Sequence, residues 1–347
     1  MKPFTLHRCA MALCLLTLAN CSTPGGVESS AIATAQETVK EPARISLADL
    51  RKTYAIEGSR TAEVDGVELF YSDEGSGPVV LLLPPSFLNF RAWDGIAKTL
   101  VAADYRVVRF DFPSTGLSGV DRKIPASGKI DFFERNAEIA TKLLDHIGVE
   151  KADVIGTSSG GAAAFRVAAN YPSRVKRLAL VNSAGLPRTR QSNPNRDRPE
   201  ERKWKAMEVK PREFWAGVLD RNFFQPEDAP EWVVTLAFDV NRRAEDGDPK
   251  LYAFRTGDPK TILSKVTAPT LIQWGTSNPT VVHLEAEVFQ HWLTQAPSLI
   301  RKYDGLGHYP YLENEALISE DLIAFLRGNL DDQLLTTQRV QSGTQAQ

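Results

Sequence analysis

One short stretch, Gly156-Thr157-Ser158-Ser159-Gly160, constrains this chain more than any other. It fits the G-x-S-x-G pattern, in which a serine sits on a sharp turn between a strand and a helix. The two glycines belong to the pattern because a side chain at either place would collide with neighbouring backbone. The flanks agree. Ala152-Asp153-Val154-Ile155 is short, mostly apolar and rich in β-branched residues, as a buried parallel strand should be. Gly161 to Ala169 is small and helix-forming, suited to a helix pressed against a sheet. Ser158 is therefore the candidate nucleophile.

Around this turn the chain alternates between strand-like and helix-like segments. Thr61–Asp65 and Val67–Ser72 read as a hairpin turning at Asp65-Gly66. Val79–Leu83, Tyr105–Phe110, Val175–Val181, Pro269–Trp274 and Leu299–Tyr303 read as further strands. Asp131 caps a helix that carries Phe132, Ile139, Leu143 and Ile147 and stops at Gly148. A last helix presents Ile318, Leu322, Phe325 and Leu326 on one face and ends at Gly328. Strands separated by helices predict an α/β fold with a mostly parallel, doubly wound sheet.

A net charge of -2 gives no reason to expect a nucleic-acid partner. Cys9, Cys14 and Cys21 are the only cysteines, so the body of the chain has no disulfide, cysteine nucleophile or cysteine metal site. Lys2 and Arg8 precede an apolar run, Cys9 to Ala19, that is too short to span a bilayer as a helix. The run closes in Leu18-Ala19-Asn20-Cys21, which resembles the lipobox of bacterial lipoproteins, although Asn20 stands where a small residue is usual. Residues 1–21 are expected to form an export signal. Cys21 would become a lipidated N-terminus, anchored to a bacterial membrane on the periplasmic or exterior side. A conventional signal cleaved nearby, giving a soluble secreted or periplasmic protein, is the alternative. Residues 22–57 are expected to form a flexible tether and residues 331–347 a disordered tail.

Residues 186–265 break the alternation. This segment opens on a basic loop bearing Arg188, Arg190, Arg196 and Arg198. It then carries Trp204, Phe214, Trp215, Phe223, Phe224, Trp232 and Phe238 at amphipathic spacing. That pattern predicts a helical lid inserted in a core made of residues 58–185 and 266–330. The bland reading is that most of the aromatics attach the lid to the core and that the arginines form a solvated face.

With elbow, lid and strand order together, the chain resembles the α/β-hydrolase superfamily over roughly residues 58–328. Asp111-Phe112-Pro113-Ser114-Thr115-Gly116-Leu117-Ser118 is similar to the family's loop after its fourth strand. The segment from Ala268 to Gly275 is similar to the strand leading to the catalytic acid, and Gly307-His308 to the loop carrying the histidine. The resemblance implies an acyl-transfer site with Ser158 as nucleophile and His308 as base, needing no metal or organic cofactor. Haloalkane dehalogenases and epoxide hydrolases of this fold have Asp at the elbow, so the serine disfavours those reactions.

Two positions depart from the family. Asn278 stands where the acid is usual, and the alternative acid position after the sixth strand is Asn182. Asp304 and Glu285 are the nearest carboxylates in sequence. The loop after the third strand reads Pro84-Pro85-Ser86-Phe87 instead of beginning His-Gly. The resemblance then assigns the oxyanion donors to the amides of Ser86 and Ser159, and it leaves a cis proline bond open. Phe87, Trp93 and Trp215 are the aromatic candidates for the substrate pocket. The expected reaction is hydrolysis of an apolar small-molecule carboxylic ester or lactone. The alternatives are hydrolysis of a carbon–carbon bond in a diketone-like substrate, or a binding lipoprotein that has lost activity.

Overall fold

Eight strands form one mixed sheet in the computed structural model: β1 (Ser59–Val64), β2 (Val67–Glu74), β3 (Val79–Leu83), β4 (Arg106–Phe110), β5 (Ala152–Ser158), β6 (Val175–Ser183), β7 (Thr270–Gly275) and β8 (Ser298–Tyr303). Their order across the sheet is β1-β2-β4-β3-β5-β6-β7-β8. β2 runs antiparallel to β1 and β4, and every other pairing is parallel. The main helices are α1 (Leu47–Tyr54), α2 (Asp94–Ala102), α3 (Phe132–His146), α4 (Ser159–Asn170), α5 (Arg212–Asp220), α6 (Glu231–Val240), α7 (Glu285–Trp292) and α8 (Glu315–Leu326). Residues 40–123, 128–187, 201–225, 229–245, 252–254 and 257–334 are described. The chain divides into Met1–Lys40 and Glu41–Gln347, and the sheet and its helices belong to the second unit. The export signal, Cys21, the first half of the expected tether (22–39) and the arginine-bearing loop lie outside the described residues.

Alternation along the strands produces two cores, because successive side chains leave opposite faces of a sheet. Val79, Leu81 and Leu83 of β3 join Val154, Leu178 and Ile272 beneath α3, α4 and α7. Val80 and Leu82 join Ile155, Ala179, Val181 and Leu271 on the other face, against α2, α8 and the two insertion helices α5 and α6. Both faces of the parallel strands are thus covered, which is why those strands read as unbroken apolar runs.

Local signals were accurate at the caps. Asp65 and Gly66 both adopt positive φ at the β1–β2 turn, at 51° and 82°, as a tight hairpin requires. The Asp131 carboxylate accepts from the Phe133 and Glu134 amides at the start of α3. After β4, the Asp111 carboxylate accepts from the Phe90 amide at 2.6 Å and the Leu117 amide at 2.7 Å. It thereby joins the β4 loop to the segment beyond β3. Burial pushes Asp111 up to about 7, against the opposing pull of those amides and of Arg243 and Arg109.

Two expectations about the termini need correction. Residues 41–57 are not a flexible tether. Ile45 pairs with the far side of the insertion, donating to the Arg242 carbonyl at 2.9 Å and accepting from the Ala244 amide at 2.7 Å. Ser46 then caps α1, and the Tyr54 hydroxyl donates to Asp239 of α6 at 2.7 Å. The composition of 22–57 is indeed polar, but Leu50 is an apolar anchor and is buried. At the other end, the helical turn at 331–334 carries a buried Leu334, so the tail does not begin at Asp331. Residues 335–347 lie outside the described set.

The elbow depends on close backbone packing. A Cβ on Gly156 would stand 2.3 Å from the Gly160 carbonyl oxygen, and one on Gly160 would stand 2.3 Å from that of Leu83. The backbone of α4 therefore abuts the end of β3 directly. Gly160→Ala should destabilise the fold by about 1–3 kcal/mol, the usual cost of overpacking. Urea denaturation reads this directly, and an unchanged midpoint would contradict the packing described.

Candidate active site

Strain marks the elbow serine. Ser158 ends β5 and precedes α4 with φ 50° and ψ -122°, a backbone region that non-glycine residues seldom occupy. This turn lifts the side chain off the sheet edge, leaving the Ser158 Oγ 3.1 Å from His308 Nε2. His308 follows β8 on the Leu306-Gly307 loop and is almost fully buried. Its other ring nitrogen, Nδ1, lies 3.2 Å from Asn278 Oδ1. Three residues far apart in the chain are thus brought into one hydrogen-bonded line, in the order expected.

The orientation of Asn278 sets the histidine tautomer. Asn278 Oδ1 also accepts from the Thr280 amide at 2.9 Å and the Val281 amide at 3.1 Å. Two backbone N–H groups can only face an acceptor, so the amide oxygen, not the nitrogen, points at the imidazole. Nδ1 must then carry the ring hydrogen, which leaves Nε2 unprotonated and able to accept from the Ser158 hydroxyl. The Asn278 Nδ2 is buried and has no hydrogen-bond partner among the described residues, at the place a second carboxylate oxygen would take. The nearby carboxylates sit differently. Asp304 is exposed and accepts from Thr276 Oγ1 at 3.1 Å. Glu285 is buried at the start of α7.

The oxyanion candidates lie at the start of α4 and just after β3. Ser159 is the first residue of α4, where helix N–H groups lack intrahelical acceptors. Ser86 is the first residue after β3 able to donate an N–H, since Pro84 and Pro85 have none. The missing Cβ of Gly160 holds the Leu83 and Pro84 carbonyls against α4. No cis peptide bond occurs among the described residues.

The aromatic candidates separate. Phe87 has φ 69° and is 48 % exposed. Its ring centroid is 5.5 Å from that of the buried Trp215 on α5. Trp93 is not a pocket residue. It is completely buried, donates from Nε1 to the Leu83 carbonyl at 3.1 Å and stacks on Tyr311 at 4.4 Å. Its indole N–H found a backbone acceptor in the core, which sequence alone does not reveal. Within the insertion, Trp215 and Phe223 are buried, whereas Phe224 and Trp232 stay 46 % exposed.

Several residues that hold the site give weak sequence signals. The Asn222 carbonyl, just beyond α5, accepts from the His308 amide at 2.6 Å. Its side-chain oxygen accepts from Thr280 Oγ1. Glu313 accepts from the Gly307 amide through both carboxylate oxygens at 3.0 Å and from the Phe224 amide at 2.9 Å. The insertion is therefore fastened to both the Asn278 loop and the His308 loop. Only Gly307 hinted at this, because a Cβ there would stand 2.4 Å from the Asn222 carbonyl oxygen. Among the described residues, no group of three or more His, Cys, Asp or Glu side chains could hold a metal ion.

The family model of the alpha/beta hydrolase fold matches residues 78–315. The chain belongs to that family. It is 27 % identical over 244 residues to the serine hydrolase BPHL of Mus musculus, covering 67 % of this chain and 75 % of the relative. It is 40 % identical over 119 residues to 2-hydroxy-6-oxononadienedioate/2-hydroxy-6-oxononatrienedioate hydrolase 1 of Dechloromonas aromatica, covering 33 % of this chain and 39 % of the relative. Several other curated relatives are likewise matched over about two fifths of their length. Among solved structures, a membrane phospholipase A described as a bacterial virulence factor superposes with a TM-score of 0.62 and 26 % identity. That match covers 81 % of this chain and 90 % of the other.

Replacing Asn278 with Asp keeps the shape and adds a charge beside the imidazole. The charge stabilises the imidazolium, so the base form of His308 is lost at a higher pH. Asn278→Asp should keep or raise turnover and move the acid limb of the pH–rate profile to higher pH, whereas Asn278→Ala should lose on the order of 10²–10⁴-fold. A folded Asn278→Asp protein with collapsed turnover, or with an unmoved acid limb, would contradict the assignment.

Proposed function

We propose that the protein hydrolyses a carboxylic ester or lactone of a small, largely apolar molecule through an acyl-enzyme on Ser158. The observation that carries this reading is the Ser158 Oγ–His308 Nε2 approach of 3.1 Å, with the ring tautomer fixed by Asn278. Nε2 takes the hydroxyl proton as Oγ bonds to the acyl carbon, and the amides of Ser86 and Ser159 stabilise the oxyanion. The leaving oxygen receives the proton from Nε2. Water, deprotonated in turn by Nε2, then releases the acid and regenerates the serine. Asn278 orients the ring but adds no charge, so the imidazolium is less stabilised than beside a carboxylate.

A second reading, hydrolysis of a carbon–carbon bond in a diketone-like substrate, is favoured by the name of the Dechloromonas aromatica relative. The phospholipase A neighbour lends weight to an ester. A binding protein without activity fits poorly with an elbow serine in hydrogen-bond reach of a correctly protonated histidine.

A fluorophosphonate probe should label the wild type and spare Ser158→Ala, and equal labelling of both would remove the nucleophile. Profiling the unlabelled protein against simple aryl esters, lactones and vinylogous 1,5-diketones separates the two reactions. Turnover restricted to the diketones would overturn the ester reading. We also propose export and lipid anchoring at Cys21, supported by the Leu18-Ala19-Asn20-Cys21 sequence. Cys21→Ser should move the protein from the membrane to the soluble fraction, and an unchanged distribution would refute the anchor.

A further inference from the structure

Asn182 occupies the alternative acid position, yet its side chain does something else. It lies at the end of β6, fully buried, with its backbone at φ 43°. Its Oδ1 accepts from the Gly275 amide at 3.0 Å, at the end of β7. Its Nδ2 donates to the Gly307 carbonyl at 2.8 Å and to the His308 carbonyl at 3.0 Å. One carboxamide thus ties three chain segments together: the ends of β6 and β7 and the loop bearing the base. Asn278 lies three residues beyond Gly275, so the same side chain also fixes the root of the loop that orients the ring.

We propose that Asn182 is a positioning residue that holds His308 in line between Ser158 and Asn278. This role rests on the Ser158–His308 reading of the site. The chemistry requires an amide. Two carbonyl oxygens need donors and one amide N–H needs an acceptor, and a carboxamide alone of the small side chains supplies two donors together with an acceptor. An ionised Asp would set one carboxylate oxygen against the two carbonyls, so this position is closed to the catalytic acid and Asn278 is the only one of the two that could accept a carboxylate. The approach is tight, since a Cβ on Gly275 would stand 2.3 Å from the Leu306 carbonyl oxygen.

The test uses the full chain with Asn182→Asp and Asn182→Gly. Glycine adopts φ near +43° without strain, so it removes the clamp and leaves the backbone at ease. Thermal unfolding establishes that each variant is folded. Labelling of Ser158 by the fluorophosphonate and kcat and KM for an aryl ester are then measured from about pH 5 to about pH 9, the range in which a histidine base titrates. Labelling and kcat should fall at least about tenfold with KM little changed, because misplacement of a reacting group by 1 Å costs on the order of 10²-fold. For Asn182→Asp the deficit relative to wild type should shrink as pH falls, because a protonated carboxyl regains one donor. Wild-type labelling and kcat in folded Asn182→Gly, or loss of the fold in both variants, would overturn the positioning role. Failure of the wild type itself to be labelled would instead remove the underlying serine–histidine reading.

Discussion

The site depends on a single oxygen atom, Asn278 Oδ1, which faces the Thr280 amide, the Val281 amide and His308 Nδ1 at 2.9, 3.1 and 3.2 Å. An asparagine in place of the triad acid is costly in a serine protease, where it produces the wrong histidine tautomer. Here two backbone amides hold the oxygen toward the ring, so the tautomer survives and only the charge is lost. On the proposed mechanism, the missing acid therefore weakens the site without disarming it.

Everything around that oxygen serves to bring distant strand ends together. Gly156 and Gly160 let α4 lie against the end of β3, and Gly275 and Gly307 let the histidine loop lie against β7 and the Asn222 turn. The insertion takes part in this frame, because its Asn222 holds the loops of both Thr280 and His308. On its far side the insertion is fastened by Ile45 and Tyr54 of the N-terminal segment. A rigid scaffold with small approach distances is what a proton-transfer line of about 3 Å requires.

The fold and the meeting of Ser158, His308 and Asn278 were legible in the sequence because their signals are local. The β-branched run before Ser158, the glycines around it and the Asp131 cap each express one local constraint, and each reappears in the structure. What was not legible depends on long-range partners. Trp93 looked like a pocket aromatic because its stacking partner, Tyr311, is more than two hundred residues away in the chain. Residues 41–57 looked like tether because their partners, Asp239, Arg242 and Ala244, lie in the insertion. Asn182 looked like a lost acid, and only the three groups around its side chain reveal an amide that is needed as such.

The mechanism stands or falls on which imidazole nitrogen of His308 carries the hydrogen. Nitrogen-15 NMR of protein labelled at histidine, recorded above the ring's protonation range and assigned with His308→Gln, reports this directly. The structure requires a protonated Nδ1 and a bare, hydroxyl-accepting Nε2. A resting state with the hydrogen on Nε2 would mean that Asn278 presents its nitrogen to the ring, and the proposed proton transfer from Ser158 would have no acceptor.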